Sequence, residues 1–108
     1  MGEKGARQSD EAAETARGLV DDLAPLGEVT SKMMFGGFGI FEDGLMFALV
    51  DSEGSAFLRL GASSEDRYRD RHAKMPYGRV PGEVLADEQQ LLTWAKEALG
   101  AARAAKKK

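Results

Sequence analysis

The chain has 108 residues, of which 43% are hydrophobic and 31% charged, and its formal net charge is −3. This length suits one domain and is too short for two, and the composition excludes disorder along the whole chain. Because there is no cysteine, disulfides, thiolate metal sites and a thiol nucleophile are excluded. No apolar run reaches the length of a membrane span and no secretory signal is present, so we expect a cytoplasmic protein without membrane association.

The first predicted element is a helix over about 10–24, which follows a flexible lead-in at 1–8. Apolar residues recur at helical spacing in this stretch. Acidic residues lie near its start, where they favour the positive end of the helix dipole. Pro25 and Gly27 are typical of a helix end, so the helix is predicted to stop there.

Residues 29–60 predict an antiparallel meander of about four strands. Asp43-Gly44 lies between two apolar runs and predicts a two-residue type I′ hairpin, which needs positive φ at both positions. The strand at 45–50 has two apolar faces, so we expect it at the centre of the sheet, with helices on one side. A further helix or a second subunit is expected on the other side. Simple alternation assigns the two faces as follows: Leu45, Phe47 and Leu49 on one, Met46, Ala48 and Val50 on the other.

Three more elements are predicted in the second half of the chain. A short helix is predicted over 64–73, with few apolar anchors. The stretch 75–81 is extended, and its two prolines predict an edge strand because proline cannot donate to a sheet ladder. An amphipathic helix is predicted over about 87–103, where Asp87 and Gln90 are spaced like a capping box.

The predicted order of elements is α-β-β-β-β-α-β-α. Strands and helices are grouped rather than alternating, which favours an α+β fold with an antiparallel sheet of about five strands and flanking helices. We place this domain at 9–103 and a basic tail at 104–108.

Three stretches of the chain resemble one known family. They are LGEVTSKMMFGGFGIF at 26–41, DGLMFALV at 43–50, and MPYGRVP at 75–81 with its continuation through Trp94-Ala95. Together they are similar to the N-terminal domain of the TfoX/Sxy family, over about 15–103. The resemblance implies a fold like that of secretion-chaperone α+β domains. It also implies a stand-alone domain related to regulators of natural competence, and we expect the C-terminal TfoX domain to be absent because the chain ends near 108.

The run Gly36-Gly37-Phe38-Gly39 is the first candidate site. A phosphate-binding loop opens a helix and carries Gly-x-x-x-x-Gly-Lys, whereas this run lies within strands. The stretch 37–41 is also close to an RNA-recognition strand, but Gly36 replaces the Lys or Arg that such a strand needs. We therefore interpret the four residues as a structural motif that bends the meander.

Four basic side chains form the second candidate, a surface for an anion or a protein partner: Arg67, Arg71, Lys74 and Arg79. Arg67 and Arg71 are four residues apart, so we expect them on one face of the helix at 64–73. Acidic residues intervene, and a solvated helix face is therefore the competing interpretation.

The sequence predicts no catalytic residue, no metal site and no cofactor. His72 is the only histidine, and no second ligand or base lies at a suitable spacing. The favoured interpretation is a non-catalytic regulatory or protein-interaction module, with an unidentified protein partner or a second copy in a homodimer. The alternative is a nucleic-acid-binding regulator that uses the basic segment 67–79. An enzyme of unknown type is the third class, and we expect no enzymatic activity.

Overall fold

The structure, a computed structural model, describes residues 10–34, 36–61, 67–72 and 75–106. The predicted lead-in at 1–8 and residues 107–108 of the predicted tail lie outside these ranges. The helices and strands, in chain order, are α1 Asp10–Asp22, β1 Val29–Met34, β2 Gly37–Glu42, β3 Leu45–Val50, β4 Ala56–Arg59, β5 Tyr77–Arg79, α2 Gly82–Leu85 and α3 Glu88–Lys106.

The five strands form one antiparallel sheet in the order β1-β2-β3-β4-β5. This confirms the predicted α+β fold with an antiparallel sheet of five strands, and β3 is its central strand. The β2–β3 hairpin also forms as predicted, because Asp43 and Gly44 have φ values of 54° and 82°. Positive φ at both positions gives the turn a twist that matches the flanking strands.

The central strand departs from simple alternation. Ile40 pairs with Ala48 and Phe41 pairs with Met46, so Phe47 is an extra residue in β3 and forms a β-bulge. The bulge shifts the alternation by one residue. The predicted assignment of the two faces is therefore wrong after Phe47: Ala48 and Val50 lie with Leu45 and Phe47, while Leu49 lies with Met46.

One face of the sheet is covered by α1 and α3. Both helices pack their apolar stripes onto a single core that includes Ile40, Phe47 and Leu58, all of which are almost fully buried. α3 begins as predicted, since the Asp87 carboxylate accepts the backbone N–H groups of Gln89 and Gln90 at 3.1 and 3.2 Å. No helix in the described ranges is both long and apolar enough to cross a bilayer.

The predicted helix at 64–73 is wrong over 68–72, whereas Arg67 is in a 3₁₀ turn, and residues 64–66 and 73 lie outside the described ranges. Arg71 forms an antiparallel bridge with Gly78. On either side of that bridge, the Arg79 N–H donates to the Asp70 carbonyl and the His72 N–H donates to the Tyr77 carbonyl, each at 2.8 Å. The segment 70–72 therefore runs along the outer edge of β5.

A physical reason for this correction lies in β5 itself. A strand edge carries backbone groups that need partners, and the predicted helix had few apolar anchors to compete with them. Within the described residues, no α-helix lies between β4 and β5, and the short α2 follows β5 instead. β5 is the last of the five strands, as the prolines of the 75–81 stretch predicted, and residues 70–72 pair along its outer edge.

Candidate functional site

The second face of the sheet carries an apolar cluster to which no described helix contributes. Its centre is Leu49, Phe57 and Tyr77, with Met46 and Met75 packed against them. Strand pairing places Met34 opposite Gly37 and Phe41 opposite Met46 on this same face. We name this surface the open face and define it by six side chains: Met34, Phe41, Met46, Leu49, Phe57 and Tyr77.

The two halves of the open face differ in exposure. On the β4–β5 side the aromatic rings are buried, with Tyr77 only 2% and Phe57 only 7% exposed. The His72 ring lies edge-on to Phe57 at 5.3 Å, and its Nδ1 accepts the Met75 N–H at 3.3 Å. His72 and Met75 thus close this half. On the β1–β2 side Met34 and Phe41 are only half-buried, which leaves apolar surface accessible there.

The glycine run lies along the open face where β1 turns into β2. Gly36 has a φ of 80°, which the turn requires and which other residues adopt with strain. A Cβ on Gly37 would overlap the backbone carbonyl oxygen of Val50. Gly39 lies between two thioethers, because a Cβ there would be 2.9 Å from the Sδ atoms of Met34 and Met46. The remaining member of the motif, Phe38, points to the opposite face and packs against the main core.

Two cations lie over aromatic rings of the open face. The Lys32 Nζ is 5.9 Å from the centre of the Phe41 ring, and the Arg59 Cζ is 6.0 Å from that of Tyr77. Burial raises the pKa of Tyr77, while the positive charge of Arg59 and its hydrogen bond to the tyrosine oppose that rise. The Tyr77 hydroxyl also makes a long hydrogen bond of 3.5 Å to the Met46 carbonyl. The Arg59 Nε is inaccessible to solvent and has no acceptor.

Arg67 and Arg79, two of the basic candidates, line a separate cleft of about 720 Å³. Arg67 forms an ion pair with Glu97 and lies 5.0 Å from the centre of the Trp94 ring. The edge of Trp94 meets the Tyr68 ring, also at 5.0 Å. Burial, the largest effect, raises the pKa of Tyr68 to about 12. Three carboxylates line the same cleft, those of Glu53, Asp70 and Glu83.

The four basic candidates do not form one basic surface. Arg71 lies outside the cleft, on the bridge to Gly78. Arg67 and Arg71 do not share a helix face, because residues 68–72 are not helical. Lys74 lies outside the described residues. In the described ranges, no three carboxylate or imidazole side chains come together as metal ligands would.

The comparison with protein families places these features within one domain type. The family model of the TfoX N-terminal domain matches residues 21–102 of the 108. The chain belongs to the TfoX N-terminal domain family. No curated protein matches this TfoX N-terminal domain. The family match spans all five strands, so the whole open face lies within it.

Lys32 and Arg59 of this TfoX N-terminal domain were not among the site residues predicted from the sequence. The available signal was alternation, because Arg59 lies two residues after Phe57 and therefore on the same face. For Lys32 the deciding fact is its pairing with Gly39, which depends on the register between strands. Neither cation belongs to a local charge run, and charge runs were the pattern that directed attention to 67–79.

Proposed function

We propose that this TfoX N-terminal domain is a non-catalytic regulatory module that binds a partner protein through the open face. The observation that carries the proposal is the partly exposed apolar surface around Met34 and Phe41, opposite the helix-covered face. Apolar patches bordered by polar residues are typical of protein-binding sites. Methionine favours such use because its flexible thioether adapts to different partners.

The use of the charged side chains supports binding rather than catalysis. Lys32 and Arg59 lie on separate strands, and each packs over a ring. Catalysis needs ionisable groups within hydrogen-bond reach of one another and of a reacting atom. The process that the resemblance suggests is transcription or natural competence in the bacterial cytoplasm, and we include that setting in the proposal.

Two neighbouring methionines allow a matched test. Met33 and Met34 are adjacent in β1 and point to opposite faces, and Met33 is 64% exposed. The chain has no cysteine, so Met34→Cys and Met33→Cys each create one site for a photoactivatable maleimide. We expect Met34→Cys to cross-link a defined partner protein in cell extract, and the more accessible Met33→Cys to cross-link it weakly. Equal or stronger capture by Met33→Cys would contradict the proposal.

The alternative function, a nucleic-acid-binding regulator, is favoured by one observation in the 67–79 segment. Arg69 and Arg79 are exposed, line the cleft and have no carboxylate partner among the described residues. Titration with duplex and single-stranded DNA at low and high salt tests this function, since phosphate contacts strengthen as salt falls. Binding at low salt that Arg79→Gln weakens, and that the helix-surface control Arg17→Gln leaves unchanged, supports it. No binding at low salt excludes it.

A homodimer is the other form that a protein-interaction module can take. Sedimentation of the purified chain over a range of concentrations measures self-association directly. If the wild type dimerises and Phe41→Thr does not, a second copy is the occupant of the open face. A monomer at all concentrations leaves a different protein as the partner.

A further inference from the structure

We propose that the open face takes a partner segment that presents a carboxylate beside bulky apolar side chains, and that Arg59 binds this carboxylate. This inference rests on the proposed function and adds the chemistry of the partner. It makes Arg59 the residue that determines specificity, while Met34, Phe41 and Met46 supply apolar contact area.

The charge of the open face differs from that of the chain. The strand registers place Lys32 opposite Gly39 and Arg59 opposite Tyr77, both on this face. Glu42, the single acidic residue within the five strands, pairs with Val29 and Leu45 and lies on the helix-covered side. The chain as a whole has a net charge of −3. The open face is therefore a basic surface on an acidic domain, and it favours an acidic partner.

The same charges disfavour a second copy on this face. A symmetric dimer places identical patches against each other, so two open faces would bring like charges together. Repulsion of that kind is a recognised way to exclude the wrong partner. A different protein with carboxylates at the matching positions meets no such repulsion.

Arg59 itself lacks the group that an arginine in this setting usually contacts. Its described contacts are with Tyr77, and it has no carboxylate partner within the described residues. Its Nε is removed from solvent, so a partner can reach the guanidinium only through its terminal Nη atoms. A carboxylate supplied by the partner would pair with the planar guanidinium in the two-point geometry that arginine favours.

The position of Arg59 limits the geometry of the partner. Phe41 lies on β2 and Arg59 on β4, so two strand spacings, about 10 Å, separate them across the sheet. A partner segment that crosses the strands must hold its apolar anchor and its carboxylate about that far apart. In a helix this separation corresponds to roughly seven residues, or two turns.

The state of the aromatic rings favours a protein segment over single-stranded nucleic acid. Nucleic acid of that type binds by stacking bases on exposed rings. Here Phe57 and Tyr77 are at most 7% exposed, and Lys32 lies over Phe41. The half-buried apolar side chains of the open face include Met34 and Met46, which contact protein side chains well and offer no flat surface for a base.

The test uses a phage-displayed library of random short peptides selected on the wild-type domain. We expect the selected peptides to be enriched in Asp or Glu together with large apolar residues. One selected peptide is then synthesised in two forms, with its carboxylate residue and with the matching amide. On the wild type, the amide form is expected to bind roughly tenfold or more weakly, because a charge-assisted hydrogen bond is lost.

Protein variants show whether Arg59 is the group that binds the carboxylate of the peptide. On Arg59→Gln the two peptide forms are expected to bind alike, whereas on the exposed control Arg17→Gln the full difference remains. Arg59→Lys keeps the charge and loses the planar fork, so an intermediate difference is expected. Thermal unfolding of each variant verifies that it is folded. The comparison of the two peptides on the wild type needs no variant and stands even if Arg59→Gln fails to fold.

The outcomes separate this inference from the proposed function. If the selected peptides bind less well to Phe41→Thr but equally well to Arg59→Gln, the inference is overturned and the proposed function stands. If binding is unchanged in Phe41→Thr as well, the result counts against both the inference and the proposed function. A selection that returns no binders, or binders without carboxylates, also overturns the inference.

Discussion

Gly37 and Gly39 are two residues apart on β2, yet the structure predicts very different effects when each is changed to alanine. A Cβ on Gly37 would overlap the Val50 carbonyl oxygen and lie 3.0 Å from the carbonyl carbons of Val50 and Asp51. These are backbone atoms, so β2 and β3 must separate to make room. Overpacking of this kind costs about 1–3 kcal/mol, and each ladder hydrogen bond lost adds about 1 kcal/mol. We expect Gly37→Ala to lower the free energy of unfolding by roughly 3 kcal/mol.

Gly39→Ala is the matched control. Its Cβ would meet only the ends of two flexible side chains, the Sδ atoms of Met34 and Met46, at 2.9 Å. These thioethers can rotate away, and the loss of glycine flexibility in the unfolded chain offsets about 0.4–1 kcal/mol. The expected change is therefore under about 1 kcal/mol.

Urea unfolding followed by the fluorescence of the single tryptophan, Trp94, measures both changes. Gly37→Ala is expected to move the unfolding midpoint to clearly lower urea, and Gly39→Ala is expected to leave it near the wild type. If Gly37→Ala is as stable as the wild type, or if the two variants lose equal stability, the assignment of the close approach to Gly37 is wrong.

Three further predictions concern the core and the cleft. Burial raises the pKa of Tyr68 to about 12 and also raises that of Tyr77, so the native protein should show little tyrosinate absorbance at pH 10, where the urea-unfolded chain shows it. Because the folded state holds these protons more tightly, the free energy of unfolding should fall as pH rises from about 10 to about 12; ordinary titration in the native state would contradict this. Glu97→Gln removes the partly exposed ion pair with Arg67 and should cost under about 1 kcal/mol in thermal unfolding; a larger loss would mean that the pair is effectively buried. Phe47→Ala leaves a cavity at a fully buried position and should cost about 3–5 kcal/mol in urea unfolding; a cost near zero would argue against the burial of Phe47 in the core.

The parts of the fold that the sequence predicted correctly depend on local signals. The Asp43-Gly44 hairpin needs only two residues with positive φ, and the start of α3 needs only a carboxylate at Asp87. The central position of β3 followed from apolar side chains on both faces. In each case the residues that decide the structure are neighbours in the chain.

The parts that were predicted wrongly depend on contacts between distant residues. The bulge at Phe47 exists in the pairing of β3 with β2, and nothing in the β3 sequence alone requires it. The predicted helix at 64–73 has a composition typical of a weak helix, but residues 70–72 pair with β5 instead. Because that helix was wrong, the expected grouping of Arg67 with Arg71 was wrong as well.

The candidate site, like the fold, was predicted only where the signal lies in neighbouring residues. The glycine run was noticed because its members are adjacent, although the reasons for Gly37 and Gly39 lie on β3 and β1. The open face combines residues from all five strands. It could be assembled only once the register and the bulge were known, because each determines which side chains share a face.

The proposed function requires that the partner binds at the open face, and methyl NMR of methionine tests this most directly. The chain has five methionines; Met34 and Met46 lie on the open face, and Met33 points to the opposite side. With ¹³C-labelled methionine methyl groups, addition of the cross-linked partner or a selected peptide should shift the signals of Met34 and Met46 and leave that of Met33 in place. A shift of Met33 without the other two would show that binding occurs elsewhere.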